Sequence, residues 1–107
     1  MSVLTWLKSK FSSRAKSLAR YRSGMSRAKG GDFAGAILDY SATIQDPGIP
    51  SDVMGMALYN RALAYSAIQE NEKAAEDLTK VLSMPGLPEN IRLAASQRRE
   101  RIRRREG

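Results

Sequence analysis

The sequence predicts an all-α fold, a short α-solenoid of stacked antiparallel helix pairs. The first observation is a repeated phrase, because the segment 46–50 (DPGIP) returns almost unchanged as the segment 84–88 (MPGLP). The second is wider, since sliding 20–57 onto 58–95 aligns seven identical residues. These are Tyr21/Tyr59, Ala36/Ala74, Asp39/Asp77, Pro47/Pro85, Gly48/Gly86, Pro50/Pro88 and Ala57/Ala95. We call the shift that aligns them the repeat shift; a period of this size is typical of solenoids, in which each unit buries its faces against its neighbours.

The composition favours helices and argues against catalysis. Only seven of the 107 residues are aromatic, and 42% are hydrophobic, which suits a helical domain better than a β-sandwich. The absence of Cys and His excludes disulfides, thiolate metal sites, a Cys nucleophile and the usual general base near neutral pH. No stretch approaches the roughly 18 apolar residues of a membrane-spanning helix. We therefore expect no enzymatic activity, no metal and no cofactor.

The net charge of +7 is distributed unevenly along the chain. Residues 1–31 carry eight Lys or Arg and no acid, whereas residues 32–97 carry four basic and nine acidic residues. Residues 98–107 carry six Arg and two Glu. An acidic middle flanked by two basic ends is more informative about partners than the total charge.

Each unit is predicted to contain two helices joined by a short polar turn. In the second unit, apolar residues at helical spacing predict helices over 56–68 and 73–84, with the turn at 69–71. The segment 85–88 (PGLP) ends the second helix, because Pro cannot continue the hydrogen-bond ladder and Gly suits a helix end.

The first unit follows the same order. A helix ends near Lys29, residues 30–32 form the turn, and the next helix covers 33–44. The resulting division of the chain is an N-terminal segment 1–19, two repeats within 20–95 (20–57 and 58–95) and a C-terminal cap 96–107.

The segment 58–82, LYNRALAYSAIQENEKAAEDLTKVL, resembles a tetratricopeptide repeat. That family's motif asks for large, small and aromatic residues in the first helix, then Ala, a large residue and a small one in the second. The positions are filled by Leu58, Ala62, Tyr65, Ala74, Leu78 and Val81. In the first unit Gly24, Ala36 and Tyr40 match, whereas Arg20 and Arg27 depart from the motif. The period of 38 exceeds the family's usual length of about 34, which places the additional residues in the PGIP and PGLP links.

The resemblance implies a curved solenoid whose first helices line a concave, peptide-binding groove. The groove residues that it implies are Tyr21, Arg22, Met25, Met56, Tyr59, Asn60, Leu63, Gln97, Arg98 and Arg101, with Leu18 beside them. The set mixes apolar and Arg side chains and contains no carboxylate. It suits an acidic or C-terminal peptide with an apolar anchor, because Arg donates forked hydrogen bonds to carboxylates.

One subfamily of these repeats holds the C-terminal carboxylates of chaperone tails with a clamp of Lys, Asn, Asn, Lys and Arg. By this resemblance Asn60 and Arg98 match two of the five positions, whereas Tyr21, Met25 and Ala94 occupy the other three. Binding of chaperone tails is therefore not predicted.

Arg61 and Asp77 match a pair that recurs in the same family. Arg and Asp at these positions lie on the two predicted helices of one unit. We favour a structural salt bridge between those helices over a role in ligand binding.

Residues 96–107, SQRRERIRRREG, are predicted to form a capping helix. Only Ile102 is clearly apolar, and a polar outer face is what the last unit of a repeat array needs. The Arg run within 98–105 also allows sequence-independent attachment to nucleic-acid phosphates. Neither end of the chain interleaves aromatic residues for base stacking, so nucleic acid is the least favoured partner.

The N-terminal segment 1–19 is predicted to form a basic amphipathic helix or extension. Its apolar stripe, continued into the first repeat, consists of Leu4, Leu7, Phe11, Leu18 and Met25. Packing of this helix along its own repeats is the first interpretation, and binding to anionic lipid through Leu4, Trp6, Leu7 and Phe11 is the second. Self-association into a homodimer through the same stripe and a mitochondrial targeting role stay open as well.

Together these features predict a non-catalytic protein–protein interaction module that holds an acidic partner peptide in its groove. A peripheral membrane-surface adaptor held by residues 1–20 is the first alternative. A nucleic-acid-associated protein that uses its Arg-rich ends is the second. The expected location is the cytoplasm, with membrane association under the first alternative.

Overall fold

The computed structural model describes the backbone of residues 2–106 and the side chains of that range outside 6–13 and 106. This part of the chain forms five α-helices and no strand. They are α1 (Val3–Lys29), α2 (Phe33–Ile44), α3 (Ser51–Ala67), α4 (Asn71–Ser83) and α5 (Glu89–Glu106). Each helix packs against the next along the chain, α1 on α2, α2 on α3, α3 on α4 and α4 on α5. The predicted all-α architecture of stacked helix pairs is confirmed.

The period of the sequence is also a period of the structure. The repeat shift carries the start of α2 onto the start of α4, and the start of α3 onto the start of α5. The turns inside the pairs are closed by equivalent hydrogen bonds, Asp32 N to Arg27 O at 2.8 Å and Glu70 N to Tyr65 O at 2.9 Å. Gly31 and Gln69 have the same left-handed backbone, with φ of 88° and 64°. This is the Schellman ending of a helix, in which a left-handed residue lets later N–H groups reach the last carbonyls.

The core lies inside each helix pair and between successive pairs. Its largest fully buried side chains are Tyr40, Thr43, Leu78, Val81 and Ile102. Tyr40 packs on Gly24 so closely that a Cβ on Gly24 would lie 2.7 Å from Tyr40 Cε1. In the second pair the equivalent residues are Ala62 and Leu78, which belong to one buried cluster. The larger ring of the first pair is therefore matched by a residue without a side chain, as close packing requires.

The links between the helix pairs belong to the core. Ile49 and Leu87 occupy equivalent positions and are each 8% exposed. Leu87 packs on Gly55 of α3, where an added Cβ would lie 2.8 Å from Leu87 Cδ2. The apolar residue between Gly and Pro of each link thus fills the joint between successive pairs.

The predicted ion pair between Arg61 and Asp77 joins α3 to α4. Arg61 Nη2 lies 2.7 Å from Asp77 Oδ1, and Arg61 Nε lies 2.8 Å from Oδ2. Arg61 Nη1 also donates to Ser41 Oγ of α2 at 3.1 Å, and the guanidinium carbon lies 5.6 Å from the centre of the Tyr65 ring. The Asp77 side chain is only 3% exposed. Since a buried carboxylate is stable only when it is paired, this contact is structural.

Three predicted segment boundaries fall inside helices. α1 runs without a break across the division between residues 19 and 20. The divisions after residues 57 and 95 lie within α3 and α5, which begin at Ser51 and Glu89. A repeat alignment determines the period but not the point at which each unit starts. The structural units are the pairs α1–α2 and α3–α4, followed by α5.

Candidate peptide-binding cleft

A cleft of roughly 230 Å³ opens on the side of the molecule formed by α1, α3 and α5. It lies at the N-terminal ends of α3 and α5, and residues of the link between α4 and α5 complete it. The lining residues are Leu18, Tyr21, Asp52, Val53, Met56, Leu87, Pro88 and Ile91. Three helices and one link therefore contribute to a single apolar depression, which we call the apolar cleft.

The chemistry of the apolar cleft suits binding and not reaction. Asp52 is the one carboxylate among its lining residues, and it is exposed at the edge. Its Oδ1 accepts a hydrogen bond from Val53 N at 2.9 Å. Ligand sites are typically apolar cavities with a few placed polar groups, so the cleft can hold an apolar side chain next to one negative charge.

Asn60 and Tyr21 connect α3 to α1 beside the cleft. Asn60 Nδ2 donates to Tyr21 Oη at 2.9 Å and to Met56 O at 3.0 Å. Both hydrogens of the amide nitrogen are therefore used inside the protein. The Tyr21 ring also packs near that of Tyr40, with centroids 5.9 Å apart. Burial raises the pKa of Tyr21, while the bond from Asn60 acts in the opposite direction, so the hydroxyl stays neutral near physiological pH.

Two of the seven predicted groove residues of α1 and α3 line this cleft. They are Tyr21 and Met56, and Leu18 lies beside them. Arg22 is exposed on α1 next to Tyr21, and Met25, one turn further on, is 42% exposed. The other three are half-buried on α3: Tyr59, Asn60 and Leu63.

The predicted groove residues of α5 do not line the apolar cleft. Gln97 and Arg101 line a second, polar cleft of roughly 430 Å³, together with Ser96, Glu100 and Arg104. Arg98 is half-buried and lines neither cleft. The structure therefore separates residues that the sequence placed in one groove.

Several cleft residues were missed by the sequence analysis. Val53, Leu87, Pro88 and Ile91 complete the apolar walls, and Asp52 contradicts the expectation of a site without a carboxylate. The link reaches the cleft because Gly55 lets Leu87 approach α3. The sequence does contain one indication that the links take part in packing, namely the apolar residue that recurs between Gly and Pro at positions 49 and 87.

The predicted membrane or partner-helix residues are described only in part. Leu4 is 67% exposed, and its neighbour Val3 is 74% exposed. Trp6, Leu7 and Phe11 lie outside the described side chains. Within residues 2–106, none of the helices is both long enough and apolar enough to cross a bilayer.

Comparison with known proteins adds no relative. No family model, curated protein or solved structure matches this chain. The likeness of residues 58–82 to a tetratricopeptide repeat stays a prediction.

Proposed function

We propose that this chain is a non-catalytic interaction module of the tetratricopeptide-repeat type, which binds a partner peptide through an apolar side chain seated in the apolar cleft. The observation that carries the proposal is the convergence of apolar walls from α1, α3, α5 and the link onto one cavity. Apolar anchors in such pockets supply most of the binding free energy in peptide recognition. The hydrogen bond between Asn60 and Tyr21 supports the proposal, because a wall that is already ordered reduces the conformational entropy lost on binding.

The charges around the cleft suggest how the peptide is oriented. Asp52 lies at the N-terminal end of α3, whereas exposed Arg22 and half-buried Arg98 lie further toward the C-terminal ends of α1 and α5. A carboxylate of the peptide is expected on the side of the two Arg residues, since Arg donates forked hydrogen bonds to carboxylates. Asp52 disfavours an acidic residue at the opposite end.

The test is a peptide array probed with the fluorescently labelled chain. The arrayed peptides vary the anchor (Leu, Phe, Ala) and the flanking charge (acidic, neutral, basic), each with a free or an amidated C-terminus. We expect selection of a large apolar anchor followed by a carboxylate. Binding of selected peptides should shift the amide resonances of Val53, Met56 and Ile91.

Two variants assign the binding to the cleft. Met56→Glu should weaken the selected peptides by about tenfold or more, because it places a charge in the apolar wall. Leu38→Glu, on the outer side of α2 where the side chain is 73% exposed, is the matched control and should leave affinity unchanged. Thermal melting of both variants checks that they fold. Selection of basic peptides, or equal binding by the folded Met56→Glu variant, would contradict the proposal.

A membrane-surface adaptor is the second candidate, and the exposed start of α1 favours it. α2 and its following link reach along α1 as far as Ser17, whose Oγ donates to Asp46 and whose O accepts from Thr43 Oγ1 at 3.3 Å. Val3 and Leu4 lie well before that point. Exposed apolar residues on a basic helix can enter the headgroup region of an anionic bilayer.

Co-sedimentation with lipid vesicles tests this candidate. Vesicles of phosphatidylcholine with phosphatidylserine should retain the whole chain, and vesicles of phosphatidylcholine alone should not. Leu4→Asp should reduce retention, whereas Leu38→Asp should have no effect, since Leu38 lies on α2. If retention is the same with and without phosphatidylserine, and the same for the Leu4→Asp variant, this mode of attachment is excluded.

A further inference from the structure

Helices α3 and α5 each pack on the helix that precedes them in the chain, and equivalent residues of the two helices are buried. α3 packs on α2, and α5 packs on α4. Ala57 of α3 and Ala95 of α5 are equivalent under the repeat shift, and both are fully buried. Ala64 and Ile102 form the second equivalent pair, at 2% and 1% exposure. Two buried positions, two helical turns apart, therefore recur in α3 and α5, on either side of Arg61 and Arg99. Because these two Arg residues contact the preceding helix, we call this the backward-facing side.

Polar contacts repeat in the same register. Arg61 Nη1 donates to Ser41 Oγ at 3.1 Å, and Arg99 Nη1 donates to Thr79 Oγ1 at 3.3 Å. Both donors and both acceptors are related by the repeat shift. Each backward-facing side therefore carries a polar residue that reaches a hydroxyl of the preceding helix.

Arg92 adds a contact at the helix end. Its guanidinium donates to Leu82 O at 3.1 Å and to Met84 O, at the C-terminal end of α4. A cation there satisfies carbonyls that have no partner within the helix and complements the helix dipole. The start of α5 thus lies against the end of α4, and the two helices are antiparallel.

α1 has a side in the same register on which Lys16, Ala19 and Ser26 are exposed and Ser23 is half-buried. Lys16, at one end of it, also borders a cleft between α1 and α2. Ala19 and Ser26 occupy the positions of Ala57/Ala95 and Ala64/Ile102 under the same shift, and both are exposed. Ser23 stands at the position of Arg61/Arg99, and exposed Lys16 stands at the position of Arg92. We call Lys16, Ala19, Ser23 and Ser26 the leading face of α1.

We propose that the leading face of α1 binds an acidic amphipathic helix of a partner protein, packed as α4 packs on α5. The occupant is a helix because the equivalent faces of α3 and α5 are each covered by one. Its charge follows from α1, since residues 1–31 carry eight basic residues and no acid. α4 and α5 provide the precedent inside the molecule, because Glu72 and Glu76 of α4 line one surface cleft with Arg99 and Arg103 of α5.

The same charges disfavour a second copy as the occupant. Two leading faces that met across a symmetry axis would bring two basic helices together, and like charges repel. The equivalence of Lys16 to Arg92 also sets the direction of the partner helix. It runs antiparallel to α1, with its C-terminal carbonyls near Lys16 and its N-terminus near Ser26.

The probe is a synthetic peptide of residues 70–86 (ENEKAAEDLTKVLSMPG), which contains α4, acetylated and amidated at its ends. Titration into the isotope-labelled full chain should shift the amide resonances of Ala19, Ser23 and Ser26. A nitroxide at the peptide's C-terminus should broaden Lys16 and Ala19, and one at its N-terminus should broaden Ser26. A peptide with Glu72→Lys and Glu76→Lys should bind about tenfold more weakly or worse, because its charge now matches that of α1.

Two variants of the full chain complete the test. Ala19→Glu should weaken binding of the peptide by about tenfold, since it places a carboxylate where the acidic helix packs. Ala34→Glu is the matched control, because Ala34 is an exposed alanine of α2, and it should leave the affinity unchanged.

Several outcomes would overturn the proposal. Absence of shifts at millimolar peptide, or equal binding of the charge-reversed peptide, would remove its basis. Shifts confined to Met56 and Ile91 would assign the peptide to the apolar cleft instead. Shifts at Ala95 and Ile102 would show that the peptide replaces α4. Self-association that Ala19→Glu abolishes would make a second copy the occupant of the face.

Discussion

Asn60 Nδ2 lies 2.9 Å from Tyr21 Oη, across 39 positions of sequence and between the first helices of two successive pairs. The same nitrogen donates to Met56 O, a residue that lines the apolar cleft. Tyr21 lines that cleft as well. Two residues that the sequence assigned to a ligand therefore bind each other and hold the wall of the site in place.

Removing the Tyr21 hydroxyl is expected to loosen that wall. Tyr21→Phe leaves one amide hydrogen of half-buried Asn60 without its acceptor, which should lower the free energy of unfolding by about 1 kcal/mol. Urea denaturation measures the loss. Tyr59→Phe makes the same change at the equivalent position of the second pair. Equal losses in the two variants would mean that the hydrogen bond is not responsible.

Gly24 and Tyr40 should behave as a coupled pair. A Cβ on Gly24 would lie 2.7 Å from Tyr40 Cε1 and 2.8 Å from Cδ1, so Gly24→Ala should destabilise the protein by about 1–3 kcal/mol through overpacking. Adding Tyr40→Leu creates the Ala–Leu combination that the second pair already has at Ala62 and Leu78. The double variant should lose less stability than the sum of the single changes.

Thermal and urea denaturation of the two single variants and the double variant give the coupling. Gly48→Ala is the control, because the nearest atom to an added Cβ there is Asp46 Oδ1 at 3.5 Å. Strict additivity of the Gly24 and Tyr40 changes would contradict the packing argument.

The Arg61–Asp77 ion pair should be worth more than its counterpart in the first pair. Asp77→Ala leaves a largely buried guanidinium without its carboxylate and should destabilise the protein by about 3–5 kcal/mol. Asp39 is the equivalent residue, and it lies 3.1 Å from Arg27 Nε, whose side chain is 51% exposed. Asp39→Ala should cost about 1 kcal/mol or less, since Arg27 stays half-exposed to solvent and keeps Asp32 as a partner at 3.0 Å. Comparable losses in denaturation experiments would contradict this ranking.

Gln69 offers a site at which stability can be gained. Its φ of 64° lies in the left-handed region, which costs a residue with a Cβ about 1–2 kcal/mol relative to glycine. Gln69→Gly should therefore raise the melting temperature. Gln45→Gly is the control and should lower the melting temperature. Gln45 has a φ of −77°, so glycine there only adds freedom to the unfolded chain. A fall in stability for Gln69→Gly would show that its side chain contributes more than the backbone strain removes.

Asp46 should make the protein less stable in acid. Hydrogen bonds from Ser17 Oγ and Gly48 N hold the pKa of Asp46 below its usual value of 3.8. Because the folded state favours the carboxylate, this contribution is present above the usual pKa and is lost as the pH falls through the folded-state pKa. Ser17→Ala should raise the pKa of Asp46 toward its usual value.

Carboxyl resonances of Asp46 followed by NMR in acid titration measure that shift directly. Denaturation at a series of pH values should show the wild-type chain losing its advantage over Ser17→Ala as the pH drops. Ser83→Ala is the control, because Ser83 Oγ donates its proton to a backbone carbonyl, Lys80 O, and not to a carboxylate. A stability difference for Ser17→Ala that stays constant down to low pH would contradict the linkage.

Much of the fold was predictable because its signals are local. Helix α2 begins and ends where the sequence predicted, at Phe33 and Ile44, and α4 differs from its predicted range by two residues at the start and one at the end. Turn residues and apolar spacing act over a few positions, so each helix can be recognised in its own segment. α3 begins at Ser51, more than a turn before the apolar-rich segment from which the sequence predicted it at Met56, because Ser51, Asp52 and Gly55 interrupt the apolar spacing there.

The helices, the repeat period and the uneven charge could be predicted without the structure, since they depend on neighbouring residues and on composition. Which side chains meet depends on tertiary packing. The link residue Leu87 entered the apolar cleft because Gly55 has no Cβ to hold it off, and Asp52 came to its edge. Helix packing also places Gln97 and Arg101 in the polar cleft, away from the apolar cleft. Such contacts join segments far apart in the chain, and their formation depends on how whole helices pack.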